Sequence, residues 1–319
     1  MNIDVLVSEV GPRDGLQNIS AIMPLADKKT WITAQARAGV REIEVGSFVS
    51  HKLLPQMADT AEVVAHALTL PGLRVAALVP NLHGAEAAVR AGVHKITIPF
   101  SASETHSIKN VRRTHEQMFE EVRKIVGALH ALPSGTRPAI EVSISTAFGC
   151  TYEGNISPDK VVRISETLIE TGVDEIGLAD SAGTANPNQI KSVVSRVRTA
   201  VGKASYAGLH LHNNRGLGLA NVLAGLEVGV TTFDSSLAGL GGCPFLPGAA
   251  GNIVTEDLVF MLEAMGLKTG INLEALLNVR KILEDALPGE TLYGFTPNAG
   301  LPLGFQLTNI PEPSSANVN

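Results

Sequence analysis

Cysteine is scarce in this sequence of 319 residues, which contains only Cys150 and Cys243. Two cysteines provide no disulfide framework, and their scarcity indicates a reducing compartment. Long apolar runs are also missing, since no stretch approaches the length that spans a membrane. The N-terminal stretch MNIDVLVSEV lacks the basic region and apolar core of a signal peptide. We therefore expect a cytoplasmic protein without a membrane anchor.

An excess of positive charge is absent as well. Lys and Arg number 25 against 31 Asp and Glu, so the formal net charge is −6. This balance argues against nucleic acid or an acidic membrane surface as a partner, and an anionic ligand would need a local basic patch. The composition, 45% hydrophobic and 18% charged, is typical of one large globular domain with a small appendage.

Short apolar runs alternate with longer helical patterns along the chain. Helices are predicted over residues 24–39, which end at a glycine, and over 157–172, where Ser157 and Pro158 begin the helix and Gly172 ends it. The predicted strands are each four to eight residues long: Val5–Val10, Glu42–Gly46, Arg74–Val79, Lys95–Pro99, Ala139–Thr146, Glu175–Asp180, Gly208–His212 and Thr232–Leu237.

Eight strand–helix units over this length predict an α/β fold, a (β/α)8 TIM barrel. An open doubly wound sheet is the alternative, but the segment after the first strand, GPRDGLQN, has no GxGxxG loop. We assign residues 1–270 to the barrel. Residues 271–319 are expected to form a short C-terminal helical extension and a flexible tail packed on the barrel.

Active-site residues of such barrels lie at the carboxyl ends of strands and in the loops that follow. The polar residues that the prediction places there are Arg13, Asp14, Glu44, Ser47, Asp180, Ser181, His210, His212, Cys243 and Asn252.

His210 and His212 are two apart at the predicted end of the seventh strand, so both point to one side. They are either packing residues or metal ligands. Strands 7, 8 and 1 are neighbours in a closed barrel, so Asp14 and Asn252 can join the pair. Carboxylate and amide oxygens suit Mg²⁺ or Mn²⁺, while imidazole favours Mn²⁺, Co²⁺ or Zn²⁺. The sequence predicts a divalent-cation site of unsettled metal identity.

Several residues of this set have a structural interpretation, a chemical one, or both. Arg13 and Asp14 precede a glycine and can form a simple turn, or Arg13 can stabilise a developing oxyanion. Glu44 is expected inside the barrel, where pairing with Arg13 would relieve the cost of burial. Cys243 lies in the glycine-rich segment GLGGCPFLPGAAG and is either a buried small residue or a thiol on a lid that transfers a proton. Cys150 is interpreted as structural.

Four motifs together resemble the 3-hydroxy-3-methylglutaryl-CoA (HMG-CoA) lyase family of metal-dependent TIM barrels. They are VGPRDGLQN, EIEVGSFVS followed by LPQMAD, GCTYEGNISP, and DSSLAGLGGCPFLPGAAGNIVTEDLVFML. The resemblance covers about Val7 to Leu262, and the last motif is the most specific.

The resemblance implies a divalent-metal-dependent retro-Claisen cleavage of HMG-CoA to acetoacetate and acetyl-CoA. It implies metal ligation by Asp14, His210, His212 and Asn252. Stabilisation of the enolate by Arg13 and proton delivery by Cys243 follow from it too, with Asp14 and His210 in proton transfer and Glu44 in support of Arg13. The implied substrate-pocket residues are Gln17, Ser47, Asp180, Ser181 and Arg215.

The sequence departs from the family pattern around the substrate pocket. Residues 213–216 are NNRG where Asp-Thr-Tyr-Gly is common, Gly177 replaces a serine that helps hold the substrate carboxylate, and Gly46 stands where threonine is usual. Arg215 is a candidate replacement carboxylate clamp. Cleavage of a related thioester such as citramalyl-CoA, an acetyl-CoA-dependent synthase, and a non-catalytic metal- or CoA-binding barrel are the alternatives.

Partners are expected to include an acyl-CoA substrate and further copies of the same chain. The basic run KNVRRTH contains Lys109, Arg112 and Arg113 and follows the fourth predicted strand. It is either a solvated helix face or a patch that contacts coenzyme A phosphates.

Overall fold

The structure, a computed structural model, describes residues 3–133, 135–241 and 251–305. Eight strands form a closed parallel barrel in chain order. They are β1 (Leu6–Glu9), β2 (Glu42–Ser47), β3 (Arg74–Leu78), β4 (Lys95–Ser101), β5 (Ala139–Ser145), β6 (Glu175–Asp180), β7 (Tyr206–Leu211) and β8 (Thr232–Ser235).

The pairing of β1 with β8 closes the barrel, with Leu6 opposite Thr232 and Glu9 opposite Ser235. The predicted TIM barrel is therefore confirmed and the open-sheet alternative is wrong. Closure makes β7, β8 and β1 consecutive neighbours. The carboxyl ends of all eight strands meet at one mouth, which is where this fold places its chemistry.

Eleven helices are described around the barrel. They are α1 (Leu25–Arg37), α2 (Thr60–Ala67), α3 (Leu82–Ala91), α4 (Glu104–Val111), α5 (His115–His130), α6 (Pro158–Glu170), α7 (Pro187–Val201), α8 (Gly218–Glu227), α9 (Thr255–Ala264), α10 (Leu273–Ala286) and α11 (Thr296–Ala299). The predicted start of α6 at Pro158 is confirmed, and Gly172 beyond its end has a φ of +96°. Such an angle favours glycine, which is why the helix ends there.

The strand predictions need one correction that matters for the site. The seventh strand was predicted to end at His212, but β7 ends at Leu211. Beyond Leu211 the chain leaves the ladder and pairs with the segment before α9: Ile253 N donates to Leu211 O, and Asn213 N donates to Gly251 O. His212 therefore faces Asn252 through an isolated bridge. Sequence periodicity cannot anticipate this exchange of partners.

The C-terminal helix α10 packs on the barrel's helical layer. Leu276, Val279 and Leu283 on this helix are buried. Just before it, Asn272 N donates to Ala38 O at 2.7 Å, beyond the end of α1. The predicted helix in the extension is thus present, whereas the proposed boundary at residue 270 stays a prediction. Residues 306–319, which hold the predicted flexible tail, lie outside the described residues.

A buried carboxylate, Glu9, ties the start of the chain to the segment after β8. Its Oε1 accepts N–H groups from Gly11 at 2.9 Å and Leu237 at 3.0 Å, and its Oε2 accepts the Thr255 hydroxyl at 2.8 Å. Gly11 is required here because a Cβ at that position would lie 2.5 Å from Glu9 Oε1. Glu9 therefore fixes the turn after β1 relative to the start of α9.

Glu256 holds the same region from the other side. Its Oε2 accepts the N–H of Ala238, a residue with a φ of +58°, at 2.9 Å. Its Oε1 lies 3.4 Å from Nη1 of Arg280 on α10. Burial, and to a smaller extent the neighbouring Asp257, raises the pKa of Glu256 to about 7. Burial likewise raises the pKa of Glu9 to about 7, and Glu256 contributes to that rise.

The raised pKa values of Glu9 and Glu256 predict how the free energy of unfolding depends on pH. A carboxyl group whose pKa is higher in the fold than in the unfolded chain stabilises the fold at low pH. That stabilisation is lost as the pH rises from 4.5 through about 7. We expect Glu256→Gln to reduce the fall in the free energy of unfolding between pH 5 and pH 8, by about 3 kcal/mol at most. Urea unfolding at several pH values measures this, with Glu86→Gln on exposed α3 as control. An unchanged pH dependence would contradict it.

Within the described part of the chain, the structure has no helix that is both long and apolar enough to cross a membrane.

Candidate active site

The turn after β1 carries two of the predicted site residues into the barrel mouth. Residues Gly11–Gly15 form a single π-helical turn, closed by Gly15 N donating to Val10 O at 3.4 Å. Arg13 and Asp14 within it are buried, with 8% and 7% of their surface exposed. The two interpretations of this segment are therefore compatible, because it is a tight turn that also places a guanidinium and a carboxylate inside the mouth.

Asp14, His210 and His212 form a cluster whose ligand atoms all lie within 4.8 Å of one another. The Nε2 atoms of the two histidines are 3.2 Å apart, and His210 Nε2 is 3.9 Å from Asp14 Oδ2. Two nitrogens and a carboxylate oxygen that converge in this way form a potential site for a divalent cation. The strand-end spacing of the histidines does direct both toward one point.

Asn252 borders the cluster, and its contacts fit a cation. Its Nδ2 donates to Asp14 Oδ2 at 2.7 Å. Its buried Oδ1 has no hydrogen-bond partner among the described residues. An unpartnered buried amide oxygen is costly unless something else completes its coordination. The two imidazole Nε2 atoms can share a proton at this distance, and a cation between them and Asp14 would take the place of that proton.

The charges around the cluster favour metal-binding protonation states. Burial opposes ionisation of Asp14, but the charge of Arg13 and the two histidines lower its pKa to about 2. Burial and the neighbouring His210 lower the pKa of His212 to about 4. At neutral pH, Asp14 is thus a carboxylate and His212 a neutral imidazole with a free lone pair.

Arg13 is held from two sides by carboxylates. Its Nε donates to Glu44 Oε2, and its Nη1 donates to Asp14 Oδ1 at 2.5 Å. The predicted pairing of Glu44 with Arg13 is therefore confirmed. Burial raises the pKa of Glu44, and the guanidinium partly offsets this. Arg13 remains charged, because its carboxylate neighbours outweigh the effect of burial and raise its pKa above the ordinary value.

One polar partner at the cluster was missed by the sequence reasoning. Asp234 on β8 accepts a hydrogen bond from His210 Nδ1, with the two atoms 3.1 Å apart. The register places His210 directly opposite Asp234. A carboxylate on Nδ1 fixes the tautomer so that Nε2 is free for a metal. The sequence could have indicated this contact, since His210 and Asp234 lie on the neighbouring strands β7 and β8.

A cavity of about 250 Å³ opens beside the cluster. Its polar lining includes Arg13, Asp14, Gln17, Asn18, Glu44, Lys95, Thr97, His106, Asn110, Glu141, Ser143, Ser181, His210, His212 and Asp234. The cluster of Asp14, His210 and His212, the buried guanidinium of Arg13 and a polar cavity therefore lie at the same mouth of the barrel.

Comparison with known proteins agrees with this arrangement. Residues 4–283 match the family model described as HMGL-like. The chain belongs to the HMGL-like family. The resemblance drawn from the four motifs is therefore confirmed.

Relatives that carry names match nearly the whole length of this chain. It is 40% identical over 283 residues to hydroxymethylglutaryl-CoA lyase YngG of Bacillus subtilis, covering 89% of this chain and 93% of the relative. The crystal structure of the B. subtilis HMG-CoA lyase superposes with a TM-score of 0.88 at 37% identity, covering 93% and 98% of the two chains. An Acinetobacter baumannii HMG-CoA lyase, solved with coenzyme A and 3-methylmalate, gives 0.87 at 41% identity, covering 96% and 98%.

The structure brings only part of the predicted substrate pocket to the cavity. Gln17 and Ser181 line it, and Gln17 Nε2 donates to Asp14 Oδ1 at 3.1 Å. Ser47 instead lines a separate depression beside α2 and α3. Its backbone N–H bonds to Thr60 Oγ1 at 3.2 Å. Beside it, Gly46 leaves room for Thr60, whose Oγ1 would lie 2.6 Å from a Cβ at that position.

Asp180 and Arg215 both hold backbone after β6 and are not among the residues that line the described cavity. The carboxylate of Asp180 accepts N–H groups from Thr184 at 3.0 Å and Ala185 at 2.9 Å. Arg215 Nη1 donates to the carbonyls of Ala182 at 3.0 Å and Gly183 at 2.9 Å. These contacts order the loop, so any role of either residue toward substrate stays a prediction.

The remaining predictions concern coenzyme A and the cysteines. Lys109 Nζ lies 4.7 Å above the Tyr152 ring, and Arg113 Nη2 pairs with Glu121 at 3.3 Å. Contact of this run with coenzyme A stays a prediction. Cys150 is buried, in keeping with a structural role. Cys243 lies outside the described residues.

Proposed function

We propose that this chain cleaves HMG-CoA to acetoacetate and acetyl-CoA by a retro-Claisen reaction that requires a bound divalent cation, Mg²⁺ or Mn²⁺. The convergence of Asp14, His210 and His212 beside buried Arg13 is the observation that carries the proposal. The named HMG-CoA lyases among its relatives support the same carbon–carbon lyase activity.

Asp14, His210 and His212 would hold the cation, with the amide oxygen of Asn252 as a further ligand. When bound there, a cation supplies Lewis-acid activation of the tertiary hydroxyl and carbonyl groups of the substrate. Asp14 and His210 are the groups of the cluster proposed to take part in transfer of the hydroxyl proton, and His210 can accept it only while its Nε2 is not bound to the cation. Asp234 would keep His210 oriented and stabilise its charged form.

Loss of the C3 hydroxyl proton converts the C–O bond to a carbonyl and breaks the C2–C3 bond. The electron pair of that bond passes to C2 and the thioester, which gives acetoacetate and the enolate of acetyl-CoA. Arg13 stabilises the enolate oxygen, because its guanidinium is fixed by Glu44 before the charge develops. Protonation at C2 then completes acetyl-CoA, and Cys243 is the proposed donor.

A panel of thioesters tests the proposal. HMG-CoA, both citramalyl-CoA enantiomers, malyl-CoA and longer branched homologues are incubated with Mg²⁺- or Mn²⁺-loaded protein, and kcat/KM is measured for each. We expect HMG-CoA to rank first and to yield acetoacetate and acetyl-CoA in equal amounts. A higher kcat/KM for another thioester would replace HMG-CoA as the substrate, and no cleavage of any would refute lyase activity.

Cys243→Ala is expected to lower kcat for HMG-CoA about 100-fold while cation binding is retained, because general acid catalysis typically contributes at least this much. Cys150→Ala is the matched control, since Cys150 is a free, buried thiol that is not among the residues lining the cavity. Steady-state kinetics together with a Mn²⁺-binding titration measure both quantities. Full turnover by folded, metal-loaded Cys243→Ala would show that another group donates the proton.

A further inference from the structure

Two cavities lie one below the other inside the barrel. The upper one, of about 250 Å³, opens at the metal cluster. The lower one, of about 40 Å³, lies toward the amino ends of the strands. Glu42, Arg74 and Glu175, the first residues of β2, β3 and β6, line it.

The two cavities share five lining residues, Lys95, Glu141, Ser143, His210 and Asp234. Among these, Lys95 and Glu141 form a direct ion pair, with Nζ and Oε2 3.0 Å apart. Both side chains are buried. This pair therefore forms part of the boundary between the upper cavity and the lower one, together with Ser143, His210 and Asp234.

Lys95 is anchored independently of Glu141. Its Nζ also lies 2.5 Å from Oε1 of Glu42, which in turn accepts the Ser8 hydroxyl at 3.0 Å. Removal of Glu141 would thus leave Lys95 paired. Glu141 can therefore be changed without leaving the buried charge of Lys95 uncompensated.

Gly177 on β6 makes the space that Glu141 occupies. A Cβ at position 177 would lie 2.6 Å from Glu141 Oε1, closer than real side chains approach. Gly177 also lines the lower cavity. A side chain at position 177 is therefore excluded by the Glu141 carboxylate, which enters the same space from β5.

We propose that the Lys95–Glu141 pair is the floor of the acyl pocket and that Glu141 selects the substrate by the length of its acyl group. The proposal rests on the lyase activity proposed above. An acyl group bound at the metal cluster extends down the barrel axis until it meets Glu141. A longer group must displace the buried side chain of Glu141 from the space that it fills, whereas a short one need not.

Glu141→Ala joins the two cavities, and Glu141→Gln keeps the volume of the side chain while removing its charge. We measure kcat/KM of the metal-loaded enzyme for HMG-CoA and for its homologue with a 3-propyl group. Glu141→Ala is expected to raise the ratio of the longer to the shorter substrate at least about tenfold, since pocket methylenes discriminate by roughly 10- to 200-fold each. Glu141→Gln is expected to leave the ratio within about threefold of the unchanged enzyme.

Glu175→Ala is the matched control, because Glu175 lines the lower cavity without bordering the upper one. It is expected to leave the ratio unchanged. If Glu141→Ala does not fold, Glu141→Asp, which shortens the side chain by one methylene and keeps its charge, is expected to raise the ratio in the same direction by a smaller factor.

An unchanged ratio in folded, metal-binding Glu141→Ala would overturn the proposal. An equal rise of this ratio in Glu141→Gln would also overturn the proposal, because the charge of residue 141 and not the length of its side chain would then determine the preference between the substrates. If the unchanged enzyme cleaves neither thioester, the lyase proposal fails, and the floor is tested by equilibrium binding. The probes are 3-hydroxy-3-methylglutarate and its 3-propyl homologue, and the same change in their affinity ratio is expected.

Discussion

Arg13→Met is expected to lower kcat for HMG-CoA cleavage about 1,000-fold, the loss typical of removing one donor to a developing oxyanion. Glu44 and Asp14 orient the guanidinium before substrate binds, so its stabilisation of the enolate requires no rearrangement. Because that charge develops only during bond cleavage, the effect falls on kcat more than on KM. Steady-state kinetics of the Mn²⁺-loaded variant measure it.

Two further variants give this prediction its specificity. Arg13→Lys keeps the positive charge but not the fork of donors that binds two carboxylates, so only partial recovery of kcat is expected. Arg90→Met, at an exposed position on α3, is the control and should retain the full rate. A folded Arg13→Met enzyme with unaltered kcat would remove Arg13 from the chemistry.

Loss of one metal ligand is expected to be at least as damaging. His212→Ala should weaken Mn²⁺ binding and reduce turnover at limiting cation by about 1,000-fold or more, because Lewis-acid catalysis is worth several kcal/mol. His212 is suited to this role because burial and His210 keep it neutral, with a pKa of about 4. Cation affinity is measured by titration and turnover in the same samples.

Added cation separates ligation from a structural role of this histidine. Excess Mn²⁺ should restore part of the turnover of His212→Ala, since Asp14 and His210 remain in place. His83→Ala, at an exposed position on α3, serves as control and should behave like the unchanged enzyme. Unaltered Mn²⁺ affinity in His212→Ala would contradict the assignment of His212 as a ligand.

The fold and the cluster of Asp14, His210 and His212 could be predicted from the sequence for the same physical reason. Strands buried on both faces read as short apolar runs, and a barrel brings all their carboxyl ends together. Once eight such runs are found, Asp14, His210, His212 and Asn252 must lie near one another. The pairing of Glu44 with Arg13 follows from the cost of burying an unpaired carboxylate.

The substrate pocket was harder to predict, since the same residue types also form hydrogen bonds with backbone groups. Asp180 ends β6 and Arg215 lies in the loop after β7, at the same mouth as the proposed metal ligands, yet their described hydrogen bonds go to loop N–H and carbonyl groups. Sequence position alone does not distinguish the two uses. Turns after β6 and β7 decide where these side chains point, and turn geometry varies more than strand geometry.

The contacts of Glu141 could not be predicted from the sequence for a different reason. It belongs to an apolar stretch of β5, and its meaning depends on Lys95 from β4 and on the space left by Gly177 on β6. Three separate strands must be placed in register before this group is visible. The resemblance drew attention to Gly177, whereas the Glu141 carboxylate that fills the space beside it could not be predicted.

Titration of the metal-free protein with Mn²⁺, with bound cation and acetoacetate formation from HMG-CoA measured in the same samples, tests the central claim most directly. We expect acetoacetate and acetyl-CoA to form at equal rates that rise in proportion to bound cation and saturate at one per chain. Addition of a chelator should abolish both. Cleavage at full rate by metal-free protein, or no acetoacetate at full cation occupancy, would contradict the account.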